Sequence, residues 1–286
     1  MQRPKDPWAH RGNLAWIEAQ LRRRGLDPAH PTIEALSVHD QLHSGGLEAS
    51  RAFLRWVEPG AGERVLDLGA GLGGMARLLA RDHGCSVTAL EPSAPLDEVG
   101  MELTRRLGLV DRVVHVRGDA TRLHGAGAFD LAILQHVAMH VEDKAALYRA
   151  CAGCLAPRGR LAWHDWLAGP GGPPRVPVPW TRDGEGSFLE DEAALRRTLR
   201  SVGFRAVTVL EISRETIAWV EASLSALGAA LGRPPPVEPA LLERRLELER
   251  IHIASGNLLR NVQERRLVPF FGEAIAWSPE HRAIEK

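Results

Sequence analysis

The stretch "VLDLGAGLGGMARLLA" at residues 65–80 passes from an apolar strand through a glycine-rich turn into a helix, and it limits the fold more than any other segment. Gly69, Gly71 and Gly74 match the pattern G-x-G-x-x-G, while Gly69, Gly71 and Gly73 match the tighter G-x-G-x-G. A helix that follows such a turn presents free backbone N–H groups and the positive end of its dipole to a ligand. The pattern alone leaves a pyrophosphate, an adenosyl sulfonium or no ligand as open interpretations.

From residue 63 onward, short apolar segments alternate with helical ones. The predicted strands are "RVLDLG", "SVTALEP", "RVVHVRGD", "FDLAILQH", "GRLAWHDW", "RAVTVLEIS" and "RLVPFFGEAIAW". The predicted helices between them are "GMARLLARDHG", "APLDEVGMELTRRLG", "DKAALYRACAGCL" and "EDEAALRRTLRSVG". Strands separated by helices of this length form βαβ units, so the pattern predicts an α/β fold with a doubly wound, mostly parallel sheet.

The rest of the chain predicts additions to this sheet. Residues 1–57 are predicted to form a helical cap, with helices at "NLAWIEAQLRRRG" and "GLEASRAFLRWV", a polar loop "SVHDQLHSGG" between them, and Ser44 as N-cap of the second. Residues 58–286 are predicted to form the main domain, with a helical insertion at about 214–260. The segment 168–187 is rich in Pro and Gly, which predicts an irregular loop long enough to be functional.

Composition excludes several classes of partner. The 36 Lys and Arg residues balance the 36 Asp and Glu residues, so no net field attracts nucleic acid or an anionic membrane. No apolar run approaches the roughly 18 residues of a membrane-spanning helix, and the first residues lack the apolar core of a signal peptide, which predicts a cytoplasmic protein. Cys151 and Cys154 form a C-x-x-C on a predicted helix; we interpret them as packing residues and predict no metal site.

Three carboxylates fall where strands are predicted to end. Asp67 stands two residues before Gly69, where a carboxylate would repel a pyrophosphate and attract an ammonium, or would bind the N–H groups of the turn itself. Glu91 ends the second strand and can accept hydrogen bonds from ribose hydroxyls, which NAD and S-adenosylmethionine share. Asp119 ends the third strand and can accept from an adenine amino group.

At this point the motifs identify a family. The segments "VLDLGAGLGG", "VTALEPS", "VRGDATRL", "FDLAILQHV" and "LAPRGRLAWHDW" resemble, in order and spacing, the motifs of class I S-adenosylmethionine-dependent methyltransferases. The resemblance implies a Rossmann-like, seven-stranded sheet with a reversed seventh strand, and S-adenosylmethionine as cofactor. The cofactor-binding residues that it implies are Asp67, Gly69, Gly71, Gly73, Glu91, Asp119, Ala120, Gln135 and His43.

A looser resemblance concerns the segments outside this core. "HDQLHSGGLEASRAF" resembles the lead-in of small-molecule methyltransferases, such as the glycine, sarcosine and dimethylglycine N-methyltransferases and the sugar O-methyltransferases of antibiotic pathways. It implies that the insertion is an acceptor lid and that the acceptor is a small amine or hydroxyl compound, for example a natural-product intermediate. No nucleic-acid module is visible, and exposed apolar faces on the cap would allow a homodimer.

The candidates for a general base depart from this family pattern. Many relatives carry a His-His pair after strand four, where this chain has Ala138 and Met139, flanked by His136 and His140. At the end of strand five we favour Asp165 as the base, with His140 or His136 as a second candidate.

His164 and Asp165 are neighbours on one strand, so their side chains are expected on opposite faces. At most one of them is therefore expected to face the acceptor, and the alternative is that both only fix the following loop. This leaves the identity of the base open between the two strand ends.

The loop after strand five carries further candidates. Trp163, Trp166 and Trp180 could form an aromatic wall for a flat or cationic acceptor, although Trp163 fits the core equally well. Arg175 and Arg182 could bind an acceptor carboxylate or remain solvated.

Two competing functions remain. The absent His-His pair leaves open a protein of this fold that binds the cofactor structurally and catalyses a non-methyl reaction such as a cyclisation. The glycine pattern alone is compatible with a nicotinamide oxidoreductase, which Asp67 disfavours.

Overall fold

The structure, a computed structural model, describes residues 13–123, 127–232 and 239–277. Within these ranges seven strands alternate with helices as the sequence predicts. The helices are α1 (Leu14–Arg23), α2 (Ile33–Asp40), α3 (Gly46–Val57), α4 (Gly74–His83), α5 (Ala94–Arg106), α6 (Lys144–Cys154), α7 (Glu192–Ser201), α8 (Ser213–Leu231) and α9 (Pro239–Gln263). The strands are β1 (Arg64–Leu68), β2 (Ser86–Glu91), β3 (Val113–Arg117), β4 (Phe129–Gln135), β5 (Leu155–Ala168), β6 (Phe204–Glu211) and β7 (Leu267–Ala276).

The strands form one sheet in the order β3-β2-β1-β4-β5-β7-β6. β7 runs antiparallel to both β5 and β6, while the other neighbouring pairs are parallel. The predicted doubly wound sheet with a reversed seventh strand is confirmed. Because the chain reverses its direction of winding between β1 and β4, a crevice opens at their carboxyl ends, where ligands bind in open α/β sheets.

Helices cover both faces of this sheet. On one face, α3 and α4 pack on Val65, Ile133 and Ala162. On the other, α6 and α7 pack on Leu134 and Trp163. The central strands are therefore apolar on both sides, as buried parallel strands require.

The N-terminal part corrects two predictions. The polar loop was predicted to start at residue 37, but α2 continues to Asp40, because the Thr32 hydroxyl accepts the Ala35 N–H and starts this helix five residues before the predicted loop. Ser44 is not the N-cap of α3. Gly45 takes that position with φ 81°, and a side chain there would collide with Trp219.

A buried ion pair joins the N-terminal helices to the glycine turn. Asp40 at the end of α2 accepts from Arg77 of α4 at 2.6 Å, and both side chains are almost fully buried. Arg77 also donates to Gly100 O and Thr104 Oγ of α5. The helix that follows the glycine turn is thereby fixed to two other helices.

The C-X-X-C segment behaves as a packing element. The predicted helix "DKAALYRACAGCL" ends at Leu155, and α6 ends one residue earlier, at Cys154, because Leu155 already pairs with Phe129 of β4. Cys151 and Cys154 are buried, free thiols in the core, which confirms their interpretation as packing residues.

The predicted insertion consists of α8 and α9. Together with the irregular loop 169–189 they bury an apolar cluster over the end of β5, here called the lid cluster: Met139, Trp166, Val178, Val220, Leu258, Val262 and Leu267. Among the described helices, none combines the length and the apolar character needed to cross a bilayer.

Candidate active site

The glycine turn between β1 and α4 has the conformation that only glycine adopts without strain. Gly69, Gly71 and Gly73 have φ values of 69°, 56° and 79°. A side chain at Gly69 would lie 2.6 Å from Val137 Cγ2, so this glycine also allows β1 and the end of β4 to approach closely. The turn therefore brings the start of α4 to the crevice between β1 and β4.

Asp67 is buried beneath this turn, and 2% of it is exposed. Its Oδ2 atom has no hydrogen-bond partner among the described residues. Burial raises the pKa of Asp67 to about 7, and the nearby charge of Glu91 adds to this rise. A buried carboxyl group with an unused oxygen is suited to pair with a cationic ligand.

Glu91 connects β2 to the glycine turn. Its Oε2 atom accepts the Gly71 N–H at 2.8 Å, and its Oε1 atom accepts the Ser93 N–H at 2.9 Å. Beyond Glu91 lies a cavity of about 380 Å³ whose lining residues are Pro92, Arg117, Gly118, Asp119 and Arg122.

Asp119 lines this cavity and begins a short 3₁₀ helix at Ala120. One oxygen of its carboxylate accepts from both the N–H and the hydroxyl of Thr121. Because these two bonds fix the carboxylate, the second oxygen is held toward the side of Arg122.

Across the crevice, three imidazoles form a cluster, here called the histidine cluster: His43, His136 and His164. His43 stacks on His136 with ring centroids 5.0 Å apart and planes at 9°, and His164 meets His136 edge-on at 4.5 Å. The backbone N–H of His136 donates to the backbone carbonyl oxygen of His164 at 2.8 Å, so β4 and β5 are hydrogen-bonded at this point. Three distant segments thus supply one cluster.

Amide and hydroxyl groups surround the histidine cluster. The Gln135 amide donates to Ser50 Oγ at 2.9 Å and lies 3.3 Å from His164 Nδ1. Ser50 in turn donates to Gln41 Oε1, which lies 3.0 Å from His43 Nε2. This network joins α2, α3, β4 and β5 across the crevice.

All three imidazoles are neutral at pH 7. Burial lowers the pKa of His43 to about 4, and it lowers the pKa of His136 and His164 well below the usual value. The cluster therefore offers hydrogen-bond donors and acceptors without adding positive charge.

His136 occupies a strained backbone position. Its φ of 56° is in the left-handed region, which costs a non-glycine residue on the order of 1–3 kcal/mol. Trp166 holds the ring in place, because its indole N–H donates to His136 Nδ1 at 3.1 Å.

The histidine cluster has the composition of a metal site, since one nitrogen from each ring lies within 4.8 Å of the others. Its surroundings do not fit one. Metal-binding imidazoles normally donate their second N–H to an oxygen, whereas Trp166 presents a donor to His136. The residues present therefore favour a hydrogen-bonding cluster over a metal centre.

Asp165 lies on the other face of β5, as the sequence predicts for two neighbouring residues. Its Oδ1 accepts the Trp166 N–H at 2.8 Å, and Oδ2 lies 3.4 Å from the Met139 nitrogen. It borders an enclosed cavity of about 10 Å³, room for one water, together with Lys144 and Glu190. Burial raises the pKa of Asp165 to about 6. The structure brings His136 and His164 together and separates Asp165 from them.

His140 lies on the 3₁₀ turn Ala138–His140, which Lys144 fixes from below. Lys144 Nζ donates to the carbonyl oxygens of Ala138, Val141 and Phe188. Burial lowers the pKa of His140, while a backbone contact with Gly186 opposes this effect. His140 therefore lies between the turn and the loop after β5.

The aromatic candidates divide between the core and the lid. Trp163 is fully buried, and its ring covers Gly272 of β7, where any side chain would collide with it. Trp166 and Trp180 stack beneath the lid helices with centroids 5.5 Å apart. Arg175 pairs at 3.0 Å with Glu264, the residue that follows α9, and so holds the loop to the end of this helix.

Sequence reasoning missed Ser50 and Lys144. Ser50 shows no signal, because its partners are 85 and 9 residues away in the chain. Lys144 does give a signal. A cation at the first position of α6 interacts unfavourably with the helix dipole, which indicates that the side chain has another role.

With this geometry known, the chain can be compared with known proteins. A family model described as a methyltransferase domain matches residues 42–209, more than half of the chain. The chain belongs to this methyltransferase family. The matched range contains the glycine turn, Glu91, the histidine cluster and Asp165.

Several proteins named as N-methyltransferases are similar to this chain over part of their length. Phosphoethanolamine N-methyltransferase 1 of Triticum aestivum is 25% identical over 64% of this chain, and the match spans 36% of its length. The glycine/sarcosine/dimethylglycine N-methyltransferase of Actinopolyspora halophila is 36% identical over 37% of this chain and 19% of its own. The chain thus spans about a third, or less, of these relatives.

Solved structures share the fold of this chain. Phosphoethanolamine N-methyltransferase 2 of Haemonchus contortus, in complex with phosphomonomethylethanolamine and S-adenosylhomocysteine, has a TM-score of 0.71 at 16% identity, over 92% of this chain and 60% of that one. The [4+2]-cyclase SpnF has a TM-score of 0.66 at 21% identity, over 83% and 84% of the two chains.

Proposed function

We propose that this protein transfers a methyl group from S-adenosylmethionine to a small-molecule acceptor. The observation that carries the proposal is the placement of Glu91, which is bonded to the Gly71 N–H beside a cavity of about 380 Å³. That volume lies in the range of small-molecule sites. The buried oxygen of Asp67 that lacks a partner supports a ligand carrying positive charge.

The residues present fit this cofactor. Asp67 would pair with its cationic end, the turn at Gly69 and Gly71 would lie against its methionine part, and Glu91 would accept from its ribose hydroxyls. Asp119 and Ala120 would lie beside the adenine. When bound, S-adenosylmethionine supplies a methyl group on a sulfonium for in-line attack by the acceptor, and the thioether that leaves is neutral and needs no acid.

The protein's own residues align the acceptor and accept its proton. His140 is the base that we favour, because its neutral imidazole lies on the turn between β4 and the loop after β5. Asp165 is a weaker candidate, since its carboxylate is held by backbone N–H groups on the far face of β5. Alignment of reactants contributes up to about 7–11 kcal/mol in favourable cases.

A small acceptor is supported by the lid, in which α8 and α9 enclose the end of β5. The relatives named above methylate small amines according to their names, and "Methyltransferase GfsG" of Streptomyces halstedii is another relative, 33% identical over 44% of this chain and 46% of its own. We extend the proposal to a role in natural-product biosynthesis in the cytoplasm. The boundary at residue 57 and a homodimer remain predictions.

The test is calorimetric titration with S-adenosylhomocysteine, with NAD as the control. Micromolar binding of the first ligand alone supports the cofactor, and binding of NAD alone would replace the proposal by an oxidoreductase. Methyl-labelled S-adenosylmethionine is then incubated with panels of amines, phenols and sugars. Label in a product establishes transfer, whereas cofactor binding without any transfer supports the cyclase alternative.

A further inference from the structure

The buried imidazole of His136 has a fixed proton position, and this decides what it can do. We propose that Trp166 holds His136 as a neutral hydrogen-bond donor, through Nε2–H, to an oxygen atom of the acceptor substrate. This inference rests on the proposed function, because the acceptor site is the one at which methyl transfer would occur.

The first step is the chemistry of the Trp166–His136 bond. An indole N–H can only donate, and Trp166 Nε1 lies 3.1 Å from His136 Nδ1. Nδ1 must therefore present its lone pair. Because a neutral imidazole carries one proton, that proton is on Nε2.

The second step concerns the other end of the ring. His136 Nε2 is buried and has no hydrogen-bond partner among the described residues. The neighbours of the ring are the neutral imidazoles of His43 and His164. A buried donor without a partner is rare in folded proteins and calls for an explanation, of which an absent ligand is one.

The third step excludes His136 as the general base. To take a proton at Nε2, the ring would need its own proton on Nδ1, where it would face the Trp166 N–H. Two donors would then oppose each other at 3.1 Å. His136 is therefore a donor to the acceptor, and removal of a proton is left to His140.

The fourth step identifies the chemistry of the ligand. An N–H donor requires a free lone pair, which a hydroxyl, carbonyl or ether oxygen has and a protonated amine lacks. A neutral amine has one lone pair, and a donor bonded to it would block its attack on the methyl group. The Trp166 ring lies edge-on to His136 with centroids 6.0 Å apart, and Trp180 stacks on Trp166. The acceptor is thus an oxygen-bearing compound with an apolar body.

The proton position can be measured directly. Two-bond ¹H–¹⁵N correlation spectra of the full-length protein, with and without S-adenosylhomocysteine, distinguish the two imidazole tautomers, and the His136→Gln variant assigns the signal. We expect the Nε2–H form at pH 7. A signal of the Nδ1–H form in the wild-type protein overturns the proposal.

A pair of variants tests the cause. Trp166→Phe replaces the indole by a smaller aromatic ring without an N–H, so we expect the Nδ1–H form of His136 to appear. The matched control is Trp180→Phe, because Trp180 belongs to the same stacked pair but donates to Ser187 Oγ. An unchanged tautomer in Trp166→Phe would show that Trp166 does not set it.

The role of His136 as a hydrogen-bond donor is tested with the acceptor that becomes labelled in the panel of amines, phenols and sugars. We expect His136→Phe to lower kcat/KM roughly 10- to 100-fold, the loss expected for an unmade buried hydrogen bond, and His136→Gln to recover most of it. Equal losses in both variants would indicate a base instead. Calorimetry with S-adenosylhomocysteine separates the outcomes, because its failure ends the proposed function whatever the tautomer is.

Discussion

The two halves of the crevice are built differently. On the side of β1 and β2, the polar contacts lie within one strand–helix–strand unit: Glu91 accepts the N–H of Gly71, and Asp67 lies directly beneath the same turn. On the side of β4 and β5, His43, His136 and His164 come from three separate segments and are held by a network of side chains. One half uses backbone groups and carboxylates, and the other uses neutral imidazoles and aromatic rings.

Under the proposed function, this difference corresponds to two tasks. The side of β1 and β2, here called the cofactor half, would bind S-adenosylmethionine, and the side of β4 and β5, here called the acceptor half, would bind the acceptor. Backbone N–H groups and carboxylates can serve the same ligand in many proteins, so the first half can be recognised from a short motif. Side-chain networks across distant segments can vary with the acceptor. Each prediction below perturbs one half and measures whether the other is affected.

The largest effect is expected at Asp67. Because the pKa of its carboxyl is raised to about 7, the folded protein holds a proton there that the unfolded chain releases above about pH 4. The contribution of Asp67 to the free energy of unfolding should fall as pH rises between these values, by on the order of 4 kcal/mol, and stay level above them. Because the buried histidines change stability with pH in the opposite sense, this contribution is the difference between the wild-type protein and Asp67→Asn. Denaturant unfolding from pH 4 to pH 8 measures it, and Asp67→Asn should abolish this loss.

Asp130 is a matched control for Asp67. Its pKa is lowered by the Arg64 guanidinium, so Asp130→Asn should remove a contribution that is lost at low pH, the opposite sign. Equal pH dependence in the two variants would contradict the assignment to Asp67. Cationic S-adenosylmethionine should release the Asp67 proton on binding below pH 7, which calorimetry in two buffers detects.

The next effect concerns the opposite half. Lys144→Met leaves the carbonyl oxygens of Ala138, Val141 and Phe188 without their donor, so we expect a loss of about 2–3 kcal/mol in the free energy of unfolding. Affinity for S-adenosylhomocysteine should stay within about threefold, because among the described residues Lys144 hydrogen-bonds to Ala138, Val141 and Phe188 and to none of the proposed cofactor-binding residues. The exposed Arg149 on the same helix provides the control Arg149→Met.

A large drop in cofactor affinity in Lys144→Met, with Arg149→Met unchanged, would show that the two halves are coupled. Such a result would replace the division of labour by a single cooperative site.

The residues of the two halves could not be recognised equally well from the sequence. Asp67 could be recognised because it stands two residues before the glycine turn, and Glu91 because it ends the next predicted strand. The link from Ser50 to Gln135 joins positions 85 residues apart, which no pattern in one sequence reveals. The predicted start of the polar loop at residue 37 was wrong for a similar reason: α2 extends to Asp40, and its buried residues, among them Ile33 and His39, are stabilised by contacts with other elements.

A further prediction tests whether Glu91 binds the cofactor. Glu91→Ala removes the acceptor of two backbone N–H groups and of the proposed ribose bonds, so we expect the affinity for S-adenosylhomocysteine to fall by roughly 1–3 kcal/mol. Glu98→Ala, at an exposed position of α5, is the control. Unchanged calorimetric affinity in Glu91→Ala would remove the main support for the cofactor site.

The smallest effect is expected at Arg175, where the sequence left a carboxylate-binding role open. Its guanidinium already pairs with Glu264 at an exposed position, and such pairs contribute at most about 1 kcal/mol. Arg175→Ala should therefore leave kcat/KM for the acceptor nearly unchanged, as should Arg182→Ala. If either variant instead raised KM at least tenfold for a carboxylate-bearing acceptor, the acceptor half would bind charge. The acceptor would then carry a charged group, and the inference that it has an apolar body would be wrong.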